Sequence, residues 1–312
     1  MIAVNQYRLT NCIINSFLDE QRAIYDNIMM SVTNQKEGVF FLHGYGGTGK
    51  TFMWQTLASA LRSRHEIVLT VATGGIASLL LPGGRTAHSK FKIPVPTFEN
   101  STCKIDHDTD MADLLHQTKL IILDEAPMAH RYTFECLDRT LIDIMGDKEN
   151  KCDAIFRGKV IVFGGDFRQI LPVIPRGGRS DIVHATINAS YIWDHCQVIT
   201  LTKNMRLKAG SNSLENKEIQ EFSEWLLSVG EGKVGEPNDG FAEISIPKDI
   251  LIMDFQDPIH AIVQSTYPFF LEKFQSYEYL KSIAILASTI EVVDQINNYV
   301  LSLMSGMFFF IL

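Results

Sequence analysis

A largely parallel α/β fold follows from three features of the sequence. Short apolar runs rich in Val, Ile, Leu and Phe recur along the first two-thirds of the chain, helical patterns separate them, and one run feeds a glycine-rich loop that opens a helix. The runs are Val39–Leu42, Ile67–Val71, Leu120–Leu123, Val160–Phe163 and Val198–Leu201. None alternates with polar residues, so each is expected to be a strand covered on both faces. Helices are expected over Gly49–Arg62, Thr109–Lys119 and Arg131–Met145, and a further one around Phe222–Val229.

Polar, turn-rich stretches at 208–218 and 230–240 flank that last helix, and the second marks the better domain boundary. Beyond it, Ser282–Ala287 reads as a strand and Glu291–Met304 as the helix that follows, the opening of a second α/β unit. The remaining space, about 70 residues, is small for an independent domain, so this unit is expected to be incomplete. The chain closes on Ser305-Gly306 and six apolar residues, Met307–Leu312, which read as a sequence that stops before its domain does.

Composition narrows the function classes. Of 312 residues, 46% are hydrophobic and 21% charged, enough for a packed core and incompatible with a disordered chain. The net charge of −8 excludes a wholly basic nucleic-acid binder; any such contact must come from local patches. Five cysteines (12, 103, 136, 152 and 196) form no CxxC pair, which argues against a disulfide framework and a thiolate zinc site alike. Reduced thiols in an intracellular protein are expected. No signal-peptide core and no run of about 20 apolar residues is present, so no membrane partner is expected.

The strongest chemical signal is Gly44-Tyr45-Gly46-Gly47-Thr48-Gly49-Lys50-Thr51, a complete GxxxxGK[ST] phosphate loop between a strand and a helix. Its glycines let backbone N–H groups approach phosphate oxygens, and the helix N-terminus adds partial positive charge. Lys50 is positioned for the β/γ-phosphates and the Thr51 hydroxyl for Mg²⁺. The run Leu120–Leu123 ends in Asp124 and Glu125. At the C-terminal edge of a parallel sheet these acids would hold the metal and orient the attacking water respectively. Together with the phosphate loop they point to nucleoside triphosphate hydrolysis. A third strand, Val160–Phe163, runs into Gly164-Gly165-Asp166-Phe167-Arg168-Gln169, which makes Gln169 a candidate γ-phosphate sensor. Two stretches are locally basic, 84–104 (Arg85, Lys90, Lys92 and Lys104) and 157–179 (Arg157, Lys159, Arg168, Arg176 and Arg179). Both suit a groove for single-stranded nucleic acid, although a solvated surface explains charge alone.

The order of GYGGTGKT, LLPGGRTAHSKFKIP at 80–94, DEAPM and GGDFRQILPV resembles the Pif-one-type DNA helicases of superfamily one, including plant and transposon-encoded members. The likeness runs from about residue 17 to 304. It implies an ATP-dependent, 5′ to 3′ DNA helicase with ATP and Mg²⁺ at its site and single-stranded or forked DNA as partner. Roles in repair, recombination and telomere maintenance are implied too, in a monomer acting in the nucleus or the mitochondrion. The resemblance gives Gln21 the adenine, and Gly44, Gly46, Gly47, Thr48, Gly49, Lys50 and Thr51 the phosphates. Asp124 takes the metal, Glu125 the water, and Gln169 with Arg206 the γ-phosphate. Thr73, Arg85, His88, Ser89 and Lys90 would face DNA. The implied division is an extension at 1–16, a first motor lobe at 17–206, a connector at 207–240 and a partial second lobe at 241–312. Two readings stand beside it: a non-motor module that binds ATP and DNA without coupling them, and a small-molecule kinase, which GGRTAHSKFKIP argues against.

Overall fold

The computed structural model describes residues 16–146, 154–205, 214–235 and 243–304. The apolar end at 307–312 lies outside them. The chain divides into two compact units, 1–233 and 234–312.

The first unit is built on one six-stranded parallel sheet. Its strands are β1 (Gly38–His43), β2 (Ile67–Ala72), β3 (Arg85–Thr86), β4 (Thr118–Asp124), β5 (Val160–Gly165) and β6 (Cys196–Thr200). Their order across the sheet is β3-β2-β4-β5-β1-β6, and every pairing is parallel. The helices are α1 (Asp19–Thr33), α2 (Lys50–Arg62), α3 (Gly75–Leu79), α4 (Ala87–Phe91), α5 (Asp110–Gln117), α6 (Arg131–Met145), α7 (Arg179–Ala185) and α8 (Leu214–Gly230).

Strand alternation sorts the core into two layers. Phe41, Ile121, Ile161 and Phe163 face one side, where Phe134, Leu137 and Leu141 of α6 cover them. Phe40, Leu42, Leu120, Ile122 and Val162 face the other, under Ile24 and Ile28 of α1 and Trp54, Leu57 and Leu61 of α2. Each such fully buried side chain stabilises the fold by about 1.5–3 kcal/mol, so the central strands are held from both faces.

Local chemistry sets the helix ends. In α1 the apolar residues Ile24, Tyr25, Ile28, Met29 and Val32 recur at helical spacing, and Asp19 and Glu20 sit in the first turn, where the helix dipole favours them. The Leu18 amide donates to Gln21 Oε1 at 3.2 Å, which caps that turn. Helix α6 is capped by His130 Nδ1, which accepts from the Tyr132 amide at 3.2 Å, and it stops at Gly146 in the left-handed region (φ 55°).

Three expectations change, and one strand goes unannounced by the sequence. The segment Val198–Leu201 pairs as the edge strand β6, and its outer face is open, with Val198 half exposed. Helix α5 ends at Gln117 because Thr118 and Lys119 already belong to β4. The two-residue strand β3 is too short to leave a periodic signal. The strand expected at Ser282–Ala287 does not form: Ser282 closes a helix and the segment after it joins no ladder, with Leu286 93% exposed. Apolar β-propensity makes a strand only where a partner supplies hydrogen bonds.

Among its described residues the second unit contains α9 (Pro258–Thr266), α10 (Phe270–Lys273), α11 (Tyr277–Ser282) and α12 (Ile290–Leu303). The last agrees closely with the helix expected at Glu291–Met304. Val263 is the one fully buried hydrophobic residue described in this unit. Amide hydrogen exchange on the whole chain should therefore show strong protection in β1 and β4 and little at 283–286. Equal protection of the two regions would contradict this account.

Candidate active site

Strand β1 delivers the phosphate loop to the C-terminal edge of the sheet. The ladder carries on past its end: the Gly44 amide donates to the Gly165 carbonyl at 3.3 Å, and the Leu201 amide to that of His43 at 2.8 Å. The loop then turns through two left-handed glycines, Gly47 (φ 91°) and Gly49 (φ 93°). A Cβ on Gly49 would also lie 2.8 Å from Gln21 Nε2 and Met205 Sδ, so backbone and surroundings both require glycine there. At Gly46 a Cβ would meet no protein atom within 4 Å, which leaves room for a ligand against the backbone. The Thr48 hydroxyl donates to the Tyr45 carbonyl at 2.8 Å and braces the turn.

Lys50, the first residue of α2, is buried at 8% exposure, and its ammonium donates to the Gly44 carbonyl. It forms no ion pair among the described residues. Helix α2 has no side-chain N-cap, so the amides of its first turn depend on an external acceptor. Both features favour an anion at the loop.

The acids sit beside it because β4 and β1 both pair with β5. Asp124, the last residue of β4, is 6% exposed, and one of its oxygens accepts from the Glu125 amide at 3.1 Å. Burial pushes its carboxyl above the ordinary range, against the pull of the Trp54 indole, Lys50 and the Glu125 amide. Glu125 stands in the left-handed region (φ 54°), an uncommon conformation for a non-glycine residue. Its Oε2 is buried without a hydrogen-bond partner. Burial raises this carboxyl too, with Asp124 and Asp166 adding repulsion and Lys50 opposing them. Two desolvated acids near a buried ammonium are costly for the protein alone, a pattern typical of functional sites.

Gln21 is fully buried, and its amide is spent on the protein itself. Oε1 accepts from Leu18, while Nε2 donates to Met205 Sδ at 3.0 Å and to the Thr48 carbonyl at 3.5 Å. It thus joins α1, the phosphate loop and the 201–205 segment. Glu20 reinforces that junction by accepting from the Thr202 amide and hydroxyl and the Lys203 amide, at 3.3, 2.9 and 3.1 Å. Sequence reasoning passed over Glu20, since a first-turn acid ordinarily signals only helix capping. Thr51 lies in the first turn of α2, and Gln169 is exposed in the loop after β5. Arg206 lies outside the described residues.

The five residues expected to face DNA gather around β3. Thr73 follows β2, Arg85 pairs with Val71 in the ladder, and His88, Ser89 and Lys90 occupy α4. Arg85 and Ser89 are exposed; Thr73, His88 and Lys90 are partly buried. Burial lowers the His88 imidazole, and burial with the neighbouring Arg85 charge lowers the Lys90 ammonium. The second basic stretch does not make one groove. Arg157 and Lys159 precede β5, at the opposite edge of the sheet from Arg168, and donate to the carbonyls of Gly146 and of His116 and Thr118. Cations there serve the C-terminal carbonyls of α6 and α5.

A close approach beneath the acids gives a test. A Cβ on Gly164 would fall 2.3 Å from the Trp54 ring and 3.2 Å from Asp124 Oδ1. Gly164→Ala should cost about 1–3 kcal/mol in chemical denaturation, the ordinary penalty of overpacking. A loss below a few tenths would show that this contact is loose.

Known proteins resemble the chain in sequence and in fold. "ATP-dependent DNA helicase PIF4" of Trypanosoma brucei brucei is 32% identical over 135 residues, which cover 42% of this chain and 16% of that protein. "ATP-dependent DNA helicase Pif1" of Psychrobacter sp. is 28% identical over 197 residues, 62% of this chain and 28% of the relative. The chain thus spans well under half the length of these relatives. In fold, Pif1 helicase from Candida albicans superposes with a TM-score of 0.55 at 23% identity, over 72% of this chain and 45% of that one. Bacteroides Pif1 in complex with ADP-AlF3 and ssDNA superposes at 0.55 and 19% identity, over 91% and 57%. Residues 16–240 match the family described as PIF1-like helicase, and the chain belongs to that family.

Proposed function

We propose that the first unit is the ATP-hydrolysing lobe of a DNA helicase, with ATP on the phosphate loop and single-stranded DNA along the β3–α4 face. The observation that carries the reading is Lys50, a buried ammonium without an ion pair among the described residues, placed between a loop with open backbone at Gly46 and two desolvated acids. An ATP triphosphate would supply the missing negative charge.

The donor set suits Mg²⁺. Thr51 and Asp124 offer hard oxygen ligands, and no cluster of three His, Cys, Asp or Glu side chains stands among the described residues. Magnesium is commonly held by one or two protein oxygens together with substrate phosphates and water, which agrees with so sparse a set. When bound, it neutralises charge on the β- and γ-phosphates. The chain's own groups do the rest. Lys50 draws the γ-phosphate against the loop, and the loop amides hold the remaining oxygens. Glu125 Oε2, buried without a partner, is available to accept a hydrogen bond from the attacking water and orient it. Coupling to movement along DNA, in the 5′ to 3′ direction implied by the resemblance, belongs to this proposal. So does a γ-phosphate role for Gln169 and Arg206.

Substitution separates the roles. Lys50→Ala should lower ATP turnover at least about a hundredfold while circular dichroism is unchanged, because a charge contact is lost and the loop backbone remains. Glu125→Gln should lose turnover to a similar degree yet retain nucleotide affinity, measured with a fluorescent ATP analogue. Near-normal turnover in the first variant would remove the site assignment. A loss of affinity in the second as severe as in the first would remove the division of labour.

A salt titration tests the DNA face. Single-stranded DNA should stimulate turnover, and its affinity should fall steeply with salt through counterion release. Arg85→Ala/Lys90→Ala should reduce the slope of log K against log salt by about 1.4 if each side chain neutralises one phosphate. An unchanged slope would place DNA elsewhere.

A further inference from the structure

Of the second basic stretch, Arg168 lies beside the nucleotide site, next to Tyr45 of the phosphate loop and Asp166 after β5. It follows β5, where its amide donates to Asp166 Oδ1 at 3.1 Å and its guanidinium lies 3.4 Å from the same oxygen. Asp166 is 4% exposed and also faces His43 Nε2, at 3.6 Å, at the end of β1. The guanidinium stands 5.9 Å from the centroid of the Tyr45 ring, within reach of a cation–π contact. Its other nitrogen pairs with Glu231, the first residue past α8. Arg168 also packs against Gly230 at the end of α8, where a Cβ would lie 3.4 Å from Arg168 Cδ, an ordinary contact.

We infer that Arg168 is a positioning residue that latches the C-terminal end of α8 to the rim of the nucleotide site. One planar guanidinium spans Asp166 at the end of β5, the aromatic ring of the phosphate loop and the carboxylate of Glu231. Lysine, a point charge, could not face all three at once. The pairing, together with Lys233, holds the Glu231 carboxyl below the ordinary range. The chain passes into its second unit just after Lys233, so the latch closes on the last turn of the first unit. Tyr45 gives the link its direction. It is itself part of the phosphate loop, so a shift of the loop on loading reaches the ring beneath Arg168, while the Tyr45 hydroxyl donates to the Thr202 carbonyl at 2.9 Å. Nucleotide on the loop therefore tightens α8. This coupling rests on the ATP site proposed above.

The test is amide hydrogen exchange across 214–233 in the full chain, with and without a non-hydrolysable ATP analogue and Mg²⁺. In the unmodified protein the analogue should slow exchange in the phosphate loop and at the end of α8. Arg168→Gln and Glu231→Gln should each speed exchange at that end by about threefold to tenfold, as loss of one partly exposed ion pair and its neighbours allows, and should abolish its response to nucleotide. The double variant should go no further than Arg168→Gln alone, because Arg168→Gln already breaks the contact with Glu231. Lys233→Ala, which removes only the outer cation, should change it less than about twofold. In steady-state assays the two glutamine variants should lower kcat with KM for ATP held within about twofold, because the loop that binds nucleotide is intact. A silent Glu231→Gln, an additive double variant or a Lys233→Ala that reproduces Glu231→Gln would overturn the latch. Loop protection by nucleotide without any response in α8 would overturn the coupling alone. Absence of loop protection in the unmodified chain would overturn the ATP site and the coupling with it.

Discussion

The arrangement of the site depends on β5 being hydrogen-bonded between β4 and β1. Parallel pairing brings the C-terminal ends of these strands level, so Gly165 sits opposite His43 and Leu123 opposite Phe163. The phosphate loop, Asp124 with Glu125, and Asp166 are therefore neighbours by construction, although long stretches of sequence separate them. A one-residue slip of β5 would exchange its two core faces and drive Ile161 and Phe163 out of the layer formed with α6. Packing on both faces thus fixes the same register that the chemistry needs.

The electrostatics follow from that placement. Burial raises both acids of the β4 end, and Lys50 opposes the shift without forming an ion pair among the described residues. Charges of both signs are held apart in a poorly solvated cleft, an arrangement that stores little stability and is eased by a ligand carrying negative charge and a cation together. The rest of the site is organised differently. Gln21, Glu20 and Tyr45 spend their polar groups on the loop and the 201–205 segment, fixing where the loop lies.

Much of this was legible in the chain because central strands and phosphate chemistry both leave local signals. The five apolar runs marked five of the six strands, and GYGGTGKT with the Asp-Glu pair marked the loop and acids. What escaped was set by tertiary context. Nothing local distinguishes the edge position of β6 from a central one, and two residues of β3 carry no period. The run at 282–287 has strand composition but no ladder. The basic stretch 157–179 looked continuous because sequence distance ignores the strand inside it, which sends Arg157 and Arg168 to opposite edges of the sheet. Glu20 carries no motif of its own, and its value lies in the amides of Thr202 and Lys203 far along the chain.

The same strand order also governs how the molecule can be made. β1 is the first strand of this sheet to leave the ribosome, yet its ladder partners are the fifth and sixth, with Gly38 opposite Val160 and Val39 opposite Cys196. At bacterial or eukaryotic elongation rates of 5–20 residues per second, Phe40, Phe41 and Leu42 wait roughly ten seconds for the strand that covers their edge. The β2–β4 pair, nearer in sequence, can form earlier and act as a platform. The phosphate loop is then among the last parts of the first unit to acquire its final shape, although it is among the first to be synthesised.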